Sequence, residues 1–508
     1  MPSVVVIGSG AAGLAAALAA ADAGADVVVL ESAASVGGTT ALSGGVVWAP
    51  GHPYRDDRDD TADALKYLDA IARGDADRSL IATFVEDVGR VVGLVQESTP
   101  LQWEVLPDWP DYQSEFPGGR TGGRSIWPAR LTLPHDIGAR VQRPAEPGVA
   151  PSSVDGGADK EMLFRGPARG QALVGALLAG LEDRKVEVRT AARAESLVHE
   201  AGEVRGVIAD GERLEGRVVL ASGGFQHDPA LRATFLPAAA IAPLGTRGCA
   251  GDGLRMAMGV GASLGNMTEG WWMPAIAVPG EQLDGVQHYR PLHTERAQPG
   301  AILVDRAGHR FVDEAQNYAD VGRAMQRFDP TTYSFPASPC WIVFDARYRA
   351  RYPFGPLMPD DPDPAWLHRA DDLESLGARL RIPAGALADS IVRFDDGARR
   401  GEDPDFGRGT RHYERWIGDA DAPHPTLACI SDAPFYAAEV HLGCLGTKGG
   451  PRTDDRARVL RLDGGPIAGL FAAGNAAASP FGIATPAGGC TIGPALVFGT
   501  RAGETAAR

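Results

Sequence analysis

The stretch from Ser3 to Glu31 constrains this chain more than any other. Ser3–Ile7 (SVVVI) is a short apolar run of the kind buried in a parallel sheet. Gly8-Ser-Gly10-Ala-Ala-Gly13 follows at once, then an alanine-rich segment to about Ala23, then a second apolar run, Asp26–Leu30, ending at Glu31. The order predicts strand, glycine turn, helix, strand and acid, the opening of a dinucleotide-binding fold. Each part has a physical task. Gly8 permits the tight turn, Gly10 lets a pyrophosphate approach the backbone, and Gly13 lets helix and strand pack closely. The helix N-terminus, at Ala11 and Ala12, offers N–H groups and a positive dipole end, and Glu31 with Ser32 accepts from a ribose diol.

The residues beyond Glu31 separate FAD from NAD. Gly37-Gly38-Thr39-Thr40-Ala-Leu-Ser43-Gly44-Gly45 is a second glycine-rich loop. An NAD domain has little use for it, whereas FAD is held along its length to the isoalloxazine. Arg217–Phe225 (RVVLASGGF) reads as a buried strand entering a glycine turn at Ser222-Gly223, closing on the dinucleotide. Gly469–Asn475 (GLFAAGN) reads as another strand ending in small residues, Gly474 and Asn475 among them. A loop then enters a helix at Thr491-Ile492, whose N–H groups suit the flavin pyrimidine edge, where reduced flavin is negative. FAD is the expected cofactor, and no metal site is expected.

Composition bounds the rest. A chain of 508 residues needs two or three domain-sized units. A formal charge of −16 offers no basic field to gather phosphates, which argues against nucleic acid as a partner. Five dispersed cysteines without a CxxC pair read as reduced thiols. The N-terminus enters its first strand without a basic leader, and the apolar stretch near Leu470–Gly499 is broken by Pro480, Pro486 and many glycines. A cytoplasmic protein without membrane insertion is expected.

These motifs together resemble the fumarate reductase/succinate dehydrogenase flavoprotein superfamily, and within it the 3-ketosteroid dehydrogenases. The likeness covers almost the whole chain: GSGAAG with Glu31, GGTTALSGG, VLASGGF, GDGLRMAMGVGA, GHRFVDE, LGTKGGPRTDD, GLFAAGN and GGCTIGPALVFG. It implies an α/β fold with a Rossmann-type FAD-binding domain built from both chain ends, residues 1–270 and 435–508. An α+β capping domain that receives the substrate, residues 271–434, is inserted between them. No histidine stands in a recognisable covalent-attachment motif, so a noncovalent flavin is expected.

The resemblance also bears on Tyr318, four residues after Glu314 on a helix-like segment. Residue types alone leave it either a half-buried ring bonding a backbone carbonyl or a catalytic group. The fumarate-reducing branch has a proton-donating, dicarboxylate-clamping arginine there; a tyrosine is the ketosteroid pattern. That pattern implies a base for the α-proton of a ketone while the β-hydrogen leaves as hydride to flavin N5. An ordinary tyrosine, with a pKa of about 10, needs neighbours that favour its anion. Tyr112, in the proline- and glycine-rich loop WPDYQSEFPGG, is either the family's relay tyrosine or a solvent-facing loop residue. At the carbonyl, a tyrosine–proline pair of the ketosteroid pattern is replaced by Thr485-Pro486, while Gly489 keeps the N–H that would share the ketone oxygen.

Other residues carry weaker signals. His441 is a polar anchor near the flavin or a histidine bonded to backbone. His288 and His293 fall in an irregular stretch where surface positions are expected. Arg120 and Arg124 either grip an acidic substrate, as in the related oxocyclohexane carboxylate desaturases, or are solvated. Trp271, Trp272 and Met273 either wall the substrate pocket or pack a core. The expected activity is FAD-dependent desaturation beside the ketone of a cyclic substrate, steroid-like or a smaller oxocyclohexane, with electrons passing to an external acceptor because no second Rossmann motif is present. The alternatives are the reverse reaction, by an enone or fumarate-type reductase, or a flavin-binding protein without turnover.

Overall fold

The computed structural model describes residues 3–55, 61–74, 76–143, 169–237, 241–283 and 285–508. Valines and leucines with branched, apolar side chains form the central sheet, where both faces are covered. Its parallel strands run Glu187–Arg189, Asp26–Leu30, Ser3–Ile7, Arg217–Leu220 and Pro466–Ala472, in that spatial order. Val5 stands opposite both Val28 and Val218, and Leu220 opposite Ala472. The chain's last third therefore completes the sheet that its first residues begin, as expected.

Two helices cross on one face of this sheet, Ala11–Asp22 and Ile492–Ala506. Their approach depends on missing side chains. A Cβ at Gly499 would stand 2.4 Å from Ala12 O, and one at Gly503 would stand 2.1 Å from Ala16 O. Alanines and glycines at these positions let backbone meet backbone, and any larger residue would part the helices.

The second sheet is mainly antiparallel. Its long strands Gly270–Leu283 and Phe435–Thr447 pair with each other, and Cys340–Phe344 and Ala301–Val304 extend the far side. The strand Phe435–Thr447 is the centre of this sheet, so the sheet runs past the boundary expected at residues 434/435, and it also recruits Ile241–Pro243 from before 271. Phe435–Thr447 alternates its side chains into two cores, Tyr436, Ala438 and Val440 on one face and Phe435 and Ala437 on the other. Helices Leu373–Leu380 and Ala386–Ala398 cover one face, burying Leu376, Leu387 and Phe394 against Ile302 and Val343. The helix Tyr318–Ala324 lies on the other, with Gly322 so close to Trp272 that a Cβ would stand 2.6 Å from the indole's own Cβ.

Candidate active site

The glycines of the first turn do what their spacing predicts. Gly8 has φ +105°, and a Cβ there would lie 2.4 Å from Ala221 O. At Gly13 a Cβ would lie 1.9 Å from Gly8 O. The turn opens into an elongated cavity that runs from Glu31 and Ser32, past Gly8, Gly10, Ala11 and Ala12, to Gly38, Thr39, Thr40 and Ser43. Ser222, Gly223, Gly474, Asn475, Thr491 and Ile492 close its other wall, and Tyr318, Gly489 and Cys490 stand at its far end. The sequence-predicted cofactor residues are thus brought to one cavity, with three exceptions. Gly13 packs beneath the turn, and Gly44 and Gly45 lie outside the lining. A Cβ at Gly45 would stand 2.7 Å from the backbone of Arg169 and Gly170, so this glycine serves packing.

The donor set fits FAD. Glu31 is buried, with Oε2 accepting from Ser9 N at 3.1 Å and Ser9 Oγ at 2.6 Å, and Oε1 accepting from Ala33 N at 2.9 Å. Ser32 Oγ fills the fourth of the carboxylate's acceptor sites only loosely, at 3.3 Å from Oε1, and a ribose hydroxyl can take its place. Thr40 Oγ1 accepts from Ala11 N at 3.1 Å, which fastens the second glycine loop to the helix N-terminus. Asn475 Oδ1 accepts from Trp271 Nε1 at 3.1 Å.

At the far end, Tyr112 Oη donates to Tyr318 Oη at 3.1 Å, and the rings meet edge to face at 5.6 Å. Asn317 caps the Tyr318 helix by accepting from Ala319 N and Asp320 N, each at 3.1 Å, which places Tyr318 at its first position. Tyr112 is buried, not a solvent-facing loop residue. Its N–H donates to Pro486 O at 2.9 Å, and Gln113 Nε2 donates to Asp320 Oδ2 at 2.9 Å. Burial pushes the Tyr318 phenol well up, with Cys490 adding to it; only the Tyr112 hydroxyl donation and the Arg296 charge work the other way. Burial raises Tyr112 further. The neighbours expected to favour the phenolate are present, and desolvation outweighs them.

Gly489 has φ +90°, and a Cβ would lie 2.6 Å from both Trp48 N and Val46 O, so only glycine fits. Thr485 is buried and stands next to Pro486, whose carbonyl accepts from both Tyr112 N and Tyr67 Oη. Strand alternation divides the three residues expected at the pocket wall. Trp271 lines the cofactor cavity and Met273 joins Ala275, Leu244 and Tyr318. Trp272 packs into the core of the second sheet instead.

Some expectations change. His293 is not a surface residue, since its ring lies 5.2 Å from that of Tyr318. His441 packs against Tyr289 at 5.5 Å, and burial lowers its basicity. Arg124 is neither solvated nor a substrate clamp, being buried with Nη1 2.7 Å from Asp111 Oδ2. Arg120 meets the same carboxylate through its backbone N–H at 3.0 Å. Glu314, beside the tyrosine in sequence, is structural. Burial raises its carboxyl, but Arg310 at 2.8 Å and Arg408 at 2.9 Å hold it below the usual range.

Sequence reasoning missed Trp109, Tyr413 and Lys448. Trp109 lies over Gly488, where a Cβ would stand 2.7 Å from the indole, and its buried Nε1 meets no partner among the described residues. Tyr413 packs on Tyr112 at 4.7 Å. Three aromatic residues in the stretch Trp103–Tyr112 were the available signal for the first, and nothing near Tyr413 marked the second.

A strand-turn-helix cradle closed by both chain ends, with a tyrosine from the first turn of a helix lining the same cavity, fits a flavoprotein dehydrogenase. The chain belongs to the family described by the FAD binding domain, whose model matches residues 3–492. It is 38% identical to 4-oxocyclohexanecarboxylate 2-dehydrogenase of Sinomonas cyclohexanicum, over 99% of this chain and 92% of that protein. It is 35% identical to 3-oxosteroid 1-dehydrogenase of Mycobacterium tuberculosis, over 98% and 96%. The solved 3-ketosteroid delta1-dehydrogenase of Sterolibacterium denitrificans superposes with a TM-score of 0.90 at 32% identity, covering both chains fully. This chain is an FAD-dependent dehydrogenase of the CH–CH class. Among the described residues, no helix is long and apolar enough to cross a membrane.

Proposed function

We propose that this protein introduces a C=C bond next to the ketone of a cyclic substrate, taking the α-proton on Tyr318. The observation that carries the reading is the Tyr112–Tyr318 pair, whose Tyr318 lines the cofactor cavity together with Gly489. Bound FAD supplies the two-electron acceptance that receives the β-hydrogen. The chain's own residues do the rest. Met273, Ala275 and Leu244 give the ring an apolar, dry wall, which strengthens every electrostatic contact inside. The Gly489 N–H and the Thr485 hydroxyl hold the ketone oxygen as it gains enolate charge, which acidifies the α-carbon. Tyr318 first releases its own proton to solvent and then accepts the substrate's as a phenolate, which Tyr112 stabilises by donating to the same oxygen.

The substrate proposed is a single-ring oxocyclohexane rather than a steroid. The short Thr485 in place of a phenol, and the 38% identity to a 4-oxocyclohexanecarboxylate dehydrogenase, support the smaller ring. The cofactor is proposed to be noncovalent, the acceptor an external small molecule, and the location cytoplasmic.

The test is anaerobic mixing of the yellow protein with a series from 4-oxocyclohexanecarboxylate to 3-oxosteroids, followed by absorbance at the flavin band. Bleaching by the small ring and not the steroid is expected, and Tyr318→Phe should lose it by roughly 100-fold to 10,000-fold with FAD still bound. Full-rate reduction in Tyr318→Phe would remove Tyr318 from the mechanism. Reoxidation of the reduced protein by an enone, with no bleaching by any saturated ketone, would reverse the direction.

A further inference from the structure

Lys448 is buried, and among the described residues no carboxylate forms an ion pair with it. Its ammonium instead meets one turn of backbone. Nζ donates to Ala484 O at 2.8 Å, Ile483 O at 3.0 Å and Gly482 O at 3.3 Å. It also reaches Thr485 Oγ1 at 3.4 Å and lies 4.2 Å from the centre of the Trp271 ring. Burial pulls the ammonium down to about 8, with Arg323 pulling the same way and Cys490, Glu269 and Asp320 opposing, so at neutral pH it remains mostly charged. A second cation serves the same turn, since Arg323 Nη2 donates to Ile483 O at 3.0 Å while paired with Glu269.

A buried lysine without a counter-ion is costly, and cheaper side chains could hold a turn. The contact with Thr485 gives this one a use. A hydroxyl has one proton and two lone pairs. The three ammonium N–H groups face three nearer carbonyls, so Thr485 Oγ1 shares one of them; with a lone pair so engaged, the hydroxyl's own proton is turned away from Lys448, and no acceptor receives it among the described residues. An ammonium behind a hydroxyl also polarises it, making it a stronger donor.

Resting on the proposed desaturation, we propose that Lys448 is a positioning residue of the carbonyl site: it fixes the Gly482–Thr485 turn and makes Thr485 a directed, polarised donor to the ketone oxygen. Lys448 and Thr485 then act as one unit where the ketosteroid pattern uses a phenol.

The experiment is a double-mutant cycle on the FAD-loaded enzyme with T485V, K448Q and K448Q/T485V, read as the limiting rate of flavin reduction by the best ketone. Each single variant should slow reduction by about tenfold or more, and the double should be no slower than T485V. K448R, which keeps the charge, should recover most of the K448Q loss in rate, with the KM little changed throughout. Multiplied losses in the double variant, or K448Q at the wild-type rate, would overturn the proposal. If K448Q does not retain FAD, K448M with T485V completes the cycle.

A second readout needs no turnover. 4-Nitrophenolate, a planar ring oxyanion, should bind about tenfold more weakly to T485V and to K448Q, and no more weakly to the double variant. Unchanged binding would overturn the proposal and return the donor role to another group, such as Trp109. Were no ketone to reduce the wild-type flavin, the desaturase reading would fall, and nitrophenolate binding would still decide the role of Lys448.

Discussion

Tyr112 Oη stands 3.1 Å from Tyr318 Oη, donating its proton to the oxygen proposed to accept one from the substrate. Burial holds both phenols protonated at neutral pH, so the pair lowers the cost of a phenolate rather than storing one. Tyr112→Phe removes that donor and keeps the ring packed on Tyr413. We expect limiting flavin reduction to fall by about tenfold to a hundredfold, the range of one lost hydrogen bond to a charged group. Ketone affinity should hardly change. Stopped-flow reduction against substrate concentration separates the two, and a change confined to affinity would make Tyr112 a wall of the pocket only.

The cofactor cradle makes a second expectation. Glu31 accepts from Ser9 and Ala33 through both oxygens and still borders the cavity. In Glu31→Gln the amide keeps part of this set and loses the charge. FAD should bind about tenfold to a hundredfold more weakly, from a loss of about 1.5–3 kcal/mol. Titrating apoprotein with FAD, by quenching of flavin fluorescence, measures it directly. Wild-type affinity would mean that the ribose is held elsewhere.

The sequence made some of this legible and hid the rest for definable reasons. Gly8, Gly13 and Gly489 were readable because each meets a backbone atom or a left-handed φ that only glycine tolerates, a demand that leaves its mark at the position itself. Tyr318 was readable only through the family pattern, because the residue types around Glu314 leave its role open. Lys448 sat in a recognised motif, yet its partners are carbonyls of Gly482–Ala484, and a carbonyl contact leaves no trace in residue type. Arg124 misled because the burial that pairs it with Asp111 is a property of the folded loop, not of GGRSIW. The extent of the second sheet was hidden for a similar reason. Phe435–Thr447 reads as a strand, but which sheet receives it is decided by partners far along the chain.

Asp111 and Arg124 anchor the loop that carries Tyr112. The carboxylate accepts from Arg124 Nη1 at 2.7 Å, Trp48 Nε1 at 2.9 Å and Arg120 N at 3.0 Å. Burial still raises it to about 6, against the pull of Arg124. Arg124→Met strands a buried charge, and the loss should be about 3–5 kcal/mol, seen as a lower denaturation midpoint. Asp111→Asn in the same chain should restore part of it, because an amide needs no counter-ion. An Arg124→Met midpoint equal to wild type would show that the pair is relieved by solvent.

Asp313 and Glu414 form a buried pair behind the tyrosines. Asp313 Oδ1 accepts from Ala315 N at 2.8 Å, and Glu414 Oε2 accepts from Gly409 N at 2.8 Å. Among the described residues, no hydrogen bond reaches Asp313 Oδ2 or Glu414 Oε1, the nearest cation to the latter being Arg411 Nη1 at 3.5 Å. One proton shared by the two carboxyls satisfies both. Burial, and then the Glu414 charge, raise Asp313 from 3.8 to about 8. Because the folded value lies above the unfolded one, the folded state binds the extra proton between them. This contribution to stability is complete below about pH 4 and is lost as pH rises through about pH 8. In Asp313→Asn, an amide N–H replaces the shared proton at every pH, and the carbonyl oxygen still accepts from Ala315 N. The variant should match wild type in mild acid and exceed it at the alkaline end, so that the two melting curves diverge with rising pH. Thermal melts of the FAD-loaded proteins across that range read the divergence, and parallel curves would show that the pair carries no extra proton.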